Sequence, residues 1–269
     1  MNLKNKQINS YIKNGYILVK SLLPKKLCLD AKKKSYNLNA KLKLPFSNKP
    51  YGFGDVRKIK PYNLIYGNKE ILDISQKLIK SKVSLSHFLL VNKASWIGPD
   101  VEWHQETFNF DIYASGLNIN KNWHKFIQVF IAIDEHKKDN GCLQVFEGSH
   151  KEGVLAYEDI VNINGSHKRR VKSEDLDKLD KKYKIKKIEM KSGDVLFFNH
   201  FLVHGSSSNL SSKSRLSALM QFYDNKLKFN NKKFTEYSKF RAKFVEKYYL
   251  SSIKKIKDYK KKLTDFKKN

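Results

Sequence analysis

Cysteine is almost missing from this 269-residue chain: Cys28 and Cys142 are the whole supply. Two cysteines cannot build a disulfide framework, and no cysteine spacing typical of a metal site occurs. Long apolar runs are missing too. The longest, Val129 to Ile133, is far too short to cross a bilayer, and the N-terminal residues hold no apolar segment of signal-peptide length. A soluble, reduced, cytoplasmic protein is the expectation. Arginine is scarce in a strongly basic chain. Of 54 Lys and Arg residues only five are arginine, at 57, 169, 170, 215 and 241, and with 26 acidic residues the formal charge is +28. Such a charge raises nucleic acid, anionic membrane and acidic substrates as partners. Base-edge readout, however, leans on arginine, and an electrostatic footprint gathers on one face. Lysine and asparagine spread along the whole chain fit a compositional drift toward A- and T-rich codons, so nucleic acid is not the expected partner.

The length allows one sizeable core, and the patterns describe one domain, 1–269, in three parts. Residues 1–82 form a helical and irregular part. Residues 1–14 make a short helix that Gly15 terminates in a left-handed conformation. Tyr16–Val19 is a strand candidate, and Ser21 and Pro24 open a second helix with Leu27 and Ala31 on its apolar side. Residues 41–67, rich in proline and glycine, read as irregular. Ile71, Ile74 and Leu78 mark a third helix. Residues 83–224 are the β core, with strands at Val83–Val91, His104–Phe110, Phe126–Ile133, Cys142–Phe146, Val195–Phe198 and Leu216–Tyr223. Turn signals at Asp139-Asn140-Gly141 and Ser192-Gly193-Asp194 separate some of them. This spacing suggests a β-sandwich or barrel. A lid-like insertion, 151–191, interrupts the strands and carries a helix starting near Ser173, with Leu176, Leu179 and Tyr183 on one face. Residues 225–269 form a basic helical tail; from 226 onward it holds 16 basic and 4 acidic residues, with Phe240, Phe244 and Tyr248 at i, i+4, i+8.

The chemistry-bearing residues lie in two places. Glu102-Trp103-His104-Gln105-Glu106 sets a histidine and a carboxylate at i and i+2. In a strand these share a face, roughly 6–7 Å apart, so His104 and Glu106 approach one ion together while Gln105 turns away. A second histidine comes from the strand that follows Gly193-Asp194. His204 precedes Gly205-Ser206, where the chain must turn, which suits a ligand at a strand end; His200 is its rival. Two imidazoles and one carboxylate are the ligand set of a non-haem iron(II) oxygenase, with three positions left open for co-substrate and O2. Taken alone, His104 reads as an exposed strand histidine, and Trp103 as core. Arg215 starts an apolar strand with Ser217 on its face. A guanidinium fork plus a hydroxyl suits a carboxylate, and a chain that uses lysine nearly everywhere keeps arginine here. The alternative is a surface arginine at a strand end. Gln128 is the polar intruder in an apolar strand and is read as facing the cavity. Lys93, at the end of an apolar strand, is a further candidate for co-substrate contact.

Together these segments resemble the phytanoyl-CoA dioxygenase family of iron(II)- and 2-oxoglutarate-dependent oxygenases. Trp103-His104-Gln105-Glu106 is similar to its Trp-His-Gln-Asp segment. The run Asp139 to His150, Asn-Gly-Cys-Leu followed by Glu-Gly-Ser-His, resembles its "Asn-Gly-x-Leu … Pro-Gly-Ser-His" stretch. Gly193 to Phe198, His204-Gly205-Ser206 and Arg215 resemble its distal histidine and co-substrate arginine region, and Asn14 to Val19 its N-terminal segment. The likeness covers roughly 7–224, with gaps at 41–80 and 151–190. It implies a mainly β fold with flanking helices, the double-stranded β-helix or cupin-like jelly roll. It implies Fe(2+) held by His104, Glu106 and His204, and 2-oxoglutarate reaching Arg215 with its far carboxylate. The reaction implied is hydroxylation of an unactivated C–H bond of a small-molecule metabolite by O2, with release of succinate and CO2. Glu106 departs from the usual Asp, which places the backbone farther from the iron. Relatives that halogenate lack the carboxylate, so its presence points to hydroxylation. His150 is read as a loop-stabilising residue. The 151–191 and 41–67 segments are expected at the substrate entrance. A non-catalytic jelly-roll binding protein and a basic nucleic-acid-binding protein are the competing readings.

Overall fold

Gly15 stops the first helix, α1 (Asn5–Asn14), at φ +84°, and its N–H donates to the Tyr11 carbonyl at 2.8 Å. That conformation is cheap only for glycine. A Cβ there would also stand 2.6 Å from His150 Nδ1 and 2.9 Å from Leu202 Cδ1. Gly15→Ala is therefore expected to cost about 2–3 kcal/mol, the sum of a left-handed backbone and an overpacked contact. A urea midpoint lowered at constant m-value is the reading that checks it.

The structure, a computed structural model, describes residues 3–41, 59–96, 98–106, 123–159 and 169–227. After α1 the chain enters β1 (Tyr16–Val19) and then α2 (Lys25–Lys41), α3 (Tyr62–Tyr66) and α4 (Lys69–Ile79). The strands that follow are β2 (Val83–Lys93), β3 (Val101–His104), β4 (Phe126–Ala132) and β5 (Leu143–Phe146). A hairpin of β6 (Tyr157–Asp159) and β7 (Arg169–Val171) leads to α5 (Ser173–Lys182) and β8 (Ile185–Ile188). β9 (Val195–Asn199), β10 (His204–Ser206) and β11 (Arg215–Asp224) complete the set. Five strands form one antiparallel sheet in the order β1-β9-β4-β11-β2, and four form a second in the order β3-β10-β5-β8.

Period-two alternation gives the larger sheet two apolar faces. Ile127, Val129 and Ile131 of β4, Val195 and Phe197 of β9, and Leu216, Ala218, Met220 and Phe222 of β11 pack against the helices. The helices answer with Tyr11, Cys28, Ala31, Ile65, Ile71 and Ile74. Each valine, leucine, isoleucine, phenylalanine or methionine among them, fully buried, contributes about 1.5–3 kcal/mol. Asn68 starts α4 by accepting the Ile71 N–H at 3.0 Å, which sets the buried stripe in register with the sheet. On the other face Phe130, Leu196 and Phe198 meet Leu143, Val145 and Ile188 of the smaller sheet. Arg215, Ser217 and Gln221 alternate with the helix-facing residues of β11, so they lie on this inter-sheet side.

Several boundaries differ from the sequence reading. β3 ends at His104, so Glu106 lies beyond the strand, in a turn; residues 107–110 of the expected strand lie outside the described residues. β1 pairs with β9 and is part of the main sheet. The 151–191 segment is more than an interruption. Its last strand, β8, pairs with β5 inside the smaller sheet, because Ile188 supplies an apolar side chain that this sheet must bury. Within 41–67 the turn Tyr62–Tyr66 is helical, with Tyr62 and Ile65 buried; 42–58 lies outside the described residues. So does 228–269, and with it the expected tail helix. No helix among the described residues is long and apolar enough to cross a membrane.

Candidate metal centre

The register of the smaller sheet places His104 directly opposite His204, with Val145 on the other flank of His204. Their rings lie 4.1 Å apart between centroids. Each Nδ1 contacts a backbone carbonyl two residues back: His104 to Glu102 O at 2.7 Å, His204 to Leu202 O at 2.8 Å. A carbonyl only accepts, so each Nδ1 carries the proton and each Nε2 presents a lone pair. Both Nε2 atoms face the Glu106 carboxylate, whose Oε1 is 3.4 Å from His204 Nε2 and 3.9 Å from His104 Nε2. The three ligand atoms all lie within 4.8 Å of one another and all three residues are buried.

Glu106 reaches this point although the chain has left the strand. Gln105 is the anchor that makes it possible. It is wholly buried. Its amide N–H groups donate to Gly153 O at 2.8 Å and Phe201 O at 2.7 Å, and its Oε1 accepts the Leu155 N–H at 3.0 Å. With Gln105 tied outward, the next residue is turned inward. Trp103 packs on Phe146, with ring centroids 4.6 Å apart, as core and not as a wall of the site. His200 lies outside the group of ligand atoms that His104, Glu106 and His204 form. It stacks on Phe126, and the amides of Gln128 and Gln221 contact its ring at 2.9 Å and 3.2 Å. Gln128 lies on the inter-sheet side of β4, and its amide nitrogen contacts His200. Its Oε1 is buried without a partner. His150 Nε2 contacts the Ile12 carbonyl at 3.1 Å, a loop-stabilising role.

Two basic residues are buried on the inter-sheet side of the larger sheet. Lys93 and Arg215 are register partners on β2 and β11 and are each 3% exposed. The Lys93 ammonium crosses to the smaller sheet, donating to Ser206 Oγ at 2.8 Å and to Ser207 O at 2.5 Å. Ser206 shares a face with His204, about 7 Å along the strand. Two donors are used, and an ammonium has three. Arg215 donates to the Gly141 carbonyl, while its Nε has no partner. Gly141 sits at φ +73°, and a Cβ on it would stand 2.3 Å from Ser207 O and 3.2 Å from Lys93 Nζ. Glycine here lets the turn come close enough to receive the guanidinium. No carboxylate among the described residues pairs with either cation.

Burial, and then the charge of Arg215, pull Lys93 down to about 7, with Asp100 and Cys142 opposing. Burial pulls Arg215 down to about 10, with the Cys142 thiol opposing, so it stays charged at neutral pH. Ser217 Oγ lies 3.1 Å from His136 Nε2. His136 is kept well below the usual histidine range by burial and then by Arg215. Neither His136 nor Ser206 was singled out in the sequence. Their partners, Ser217 and Lys93, are 81 and 113 residues away, and no local spacing carries such a pairing.

The family model for phytanoyl-CoA dioxygenase (PhyH) matches residues 11–217. Among curated relatives, the dioxygenase lolE1 of Epichloe uncinata is 32% identical over 99 residues, 37% of this chain and 34% of that protein. The phytanoyl-CoA dioxygenase domain-containing protein 1 homolog of Dictyostelium discoideum is 27% identical over 158 residues, 58% and 52% of the two chains. A probable phytanoyl-CoA dioxygenase of Caenorhabditis elegans is 24% identical over 232 residues, 77% and 71%. The match thus spans only a third to about half of the first two relatives' own length. Among solved structures, EctD from S. alaskensis with 2-oxoglutarate and 5-hydroxyectoine superposes with a TM-score of 0.65 at 17% identity, covering 82% of this chain and 76% of that one. The carbocyclase SnoK from nogalamycin biosynthesis gives 0.60 at 16%, covering 83% and 85%. These structures share the fold. With the family model matched across most of its length, the chain belongs to the phytanoyl-CoA dioxygenase family.

Proposed function

We propose that the chain is an iron(II)- and 2-oxoglutarate-dependent dioxygenase built on a double-stranded β-helix, and that it hydroxylates an unactivated C–H bond of a small-molecule metabolite. One observation carries the reading. His104 Nε2, His204 Nε2 and the Glu106 carboxylate converge, buried, within 4.8 Å of one another, with both imidazole tautomers set by backbone carbonyls. Two neutral imidazoles and one carboxylate fit a first-row divalent metal, and three ligands on one side leave positions open. Iron(II) held there would supply the activation of O2, coupled to breakdown of 2-oxoglutarate to succinate and CO2. The rest is done by the chain. His104 and His204 are held in orientation by their Nδ1–H bonds. Arg215, and Lys93 when protonated, have no paired carboxylate among the described residues and fit the carboxylates of a diacid, and Ser217 offers a hydroxyl beside Arg215. The orphaned Arg215 Nε is the sign of such a fit, since a buried donor left unmet costs about 1–3 kcal/mol. Phe198, its ring 4.9 Å from that of His204, and Phe130, beneath the guanidinium, keep water from the site.

The test is an anaerobic titration. Iron(II) with 2-oxoglutarate should produce a visible charge-transfer band on the protein, and in air succinate should accumulate when a suitable metabolite extract is added. A binding protein that has lost the chemistry would give neither. A nucleic-acid binder would instead retain DNA or RNA steeply with falling salt, unaffected by His104→Ala.

Lys93 adds a pH dependence. If its ammonium meets a co-substrate carboxylate, binding requires the proton that the free protein loses above about 7. Affinity should then fall by up to about tenfold per pH unit above 7, until the complex itself loses the proton. The stability of the ligand-free protein should move the other way. Between about 7 and the usual lysine value the unfolded chain holds the extra proton, so this group makes folding more favourable as pH rises. Lys93→Met should flatten both profiles. Isothermal titration at several pH values, beside thermal melts, would expose a failure of either trend.

A further inference from the structure

We propose that His136 is a positioning residue for the co-substrate: its Nε2–H donates to Ser217 Oγ and so frees the serine's own proton for the carboxylate beside Arg215. The inference rests on the 2-oxoglutarate reading of this pocket. A serine hydroxyl has one proton. If that proton were given to His136, Ser217 could only accept, and it would repel an anion. If His136 is the donor, Ser217 becomes a second donor next to the guanidinium.

Three features favour the second arrangement. The ring is mounted rigidly: the His136 backbone N–H donates to Met190 O at 2.8 Å and its carbonyl accepts the Met190 N–H at 3.0 Å. Phe130 packs against the imidazole at 5.4 Å, and the same ring lies under the Arg215 guanidinium at 5.9 Å, so His136 and Arg215 share one wall. Finally, Nδ1 is buried with no partner among the described residues. A neutral imidazole has one N–H, and a buried N–H without an acceptor is the costlier orphan. Placing the proton on Nε2, 3.1 Å from Ser217 Oγ, leaves only a lone pair unmet. Burial and the charge of Arg215 disfavour the doubly protonated ring, against a smaller opposing contact with the Leu216 backbone.

The experiment is an anaerobic 2-oxoglutarate titration of the iron(II)-loaded full chain, read by the charge-transfer band. It compares wild type, His136→Leu, Ser217→Ala and the double variant. Each single change should weaken binding by about tenfold, the scale of one hydrogen bond to a charged group. The double variant should bind no more weakly than Ser217→Ala, because His136 acts on the co-substrate only through the serine hydroxyl. His136→Gln, which keeps an N–H within reach of Ser217, should recover most of the affinity. His136→Asn, too short to reach, should not, and it gives the same comparison in a polar background should the leucine variant fail to fold. Affinity within twofold of wild type in the Leu and Asn variants, or losses that multiply in the double variant, would overturn the inference. A wild-type protein with no band would instead overturn the pocket reading itself.

Discussion

Glu106→Ala should abolish iron-dependent turnover, with succinate release falling at least about a hundredfold, beyond the 10–100-fold typical of losing a supporting contact around a metal. The two histidines would remain in place, since each is oriented by its own backbone carbonyl and not by Glu106. The variant should therefore fold, and what it loses is the third ligand. Metal binding reports this independently of activity. Iron(II), or manganese(II) in its place, should raise the melting temperature of the wild type by mass action, and Glu106→Ala should show little or none of that rise. Glu106→Asp is the sharper comparison. Glu106 leaves from a turn after β3 and reaches 3.4 Å from His204 Nε2; withdrawing the carboxylate by one methylene should leave it short of the metal. An aspartate variant with wild-type metal affinity would show that the turn adjusts and that side-chain length is not what sets the site.

Arg215→Met should separate stability from function in the opposite direction. Arg215 is buried, its charge has no carboxylate partner among the described residues, and burial already pulls it down to about 10. Replacing such a charge with an apolar side chain of similar volume is neutral to stabilising. The ligand-free variant should melt at or above the wild-type temperature. Its affinity for 2-oxoglutarate should fall by about a hundredfold or more, the cost of deleting one partner of a buried charge pair. Arg215→Lys should recover little, because an ammonium cannot offer two parallel donors to one carboxylate. The result that would count against the assignment is a methionine variant that is clearly less stable yet binds the co-substrate normally. Arg215 would then be a structural tie to the Gly141 carbonyl and nothing more.

The residues of the site were legible one by one. His104, Glu106, His204 and Arg215 stand next to turn signals or at strand ends, and such local features survive in a linear reading. Residue type does not mark Lys93, because lysine is everywhere in this chain; its burial and its reach to Ser206 set it apart. Same-face alternation alone does not bring His104 and Glu106 together. The strand stops at His104, and it is Gln105, clamped to Gly153, Leu155 and Phe201, that turns Glu106 inward.

By itself the sequence determined the alternation that puts Arg215 and Ser217 on one side of β11, the left-handed stop at Gly15 and the amphipathic stripe of α4. Each depends on neighbours within a few residues. Only the tertiary structure decided between His200 and His204, recruited β8 and β1 into the sheets, and brought His136 to Ser217. Those outcomes depend on which strand lies beside which. That is settled by burying both faces of the larger sheet at once, and no stretch of chain carries that information on its own.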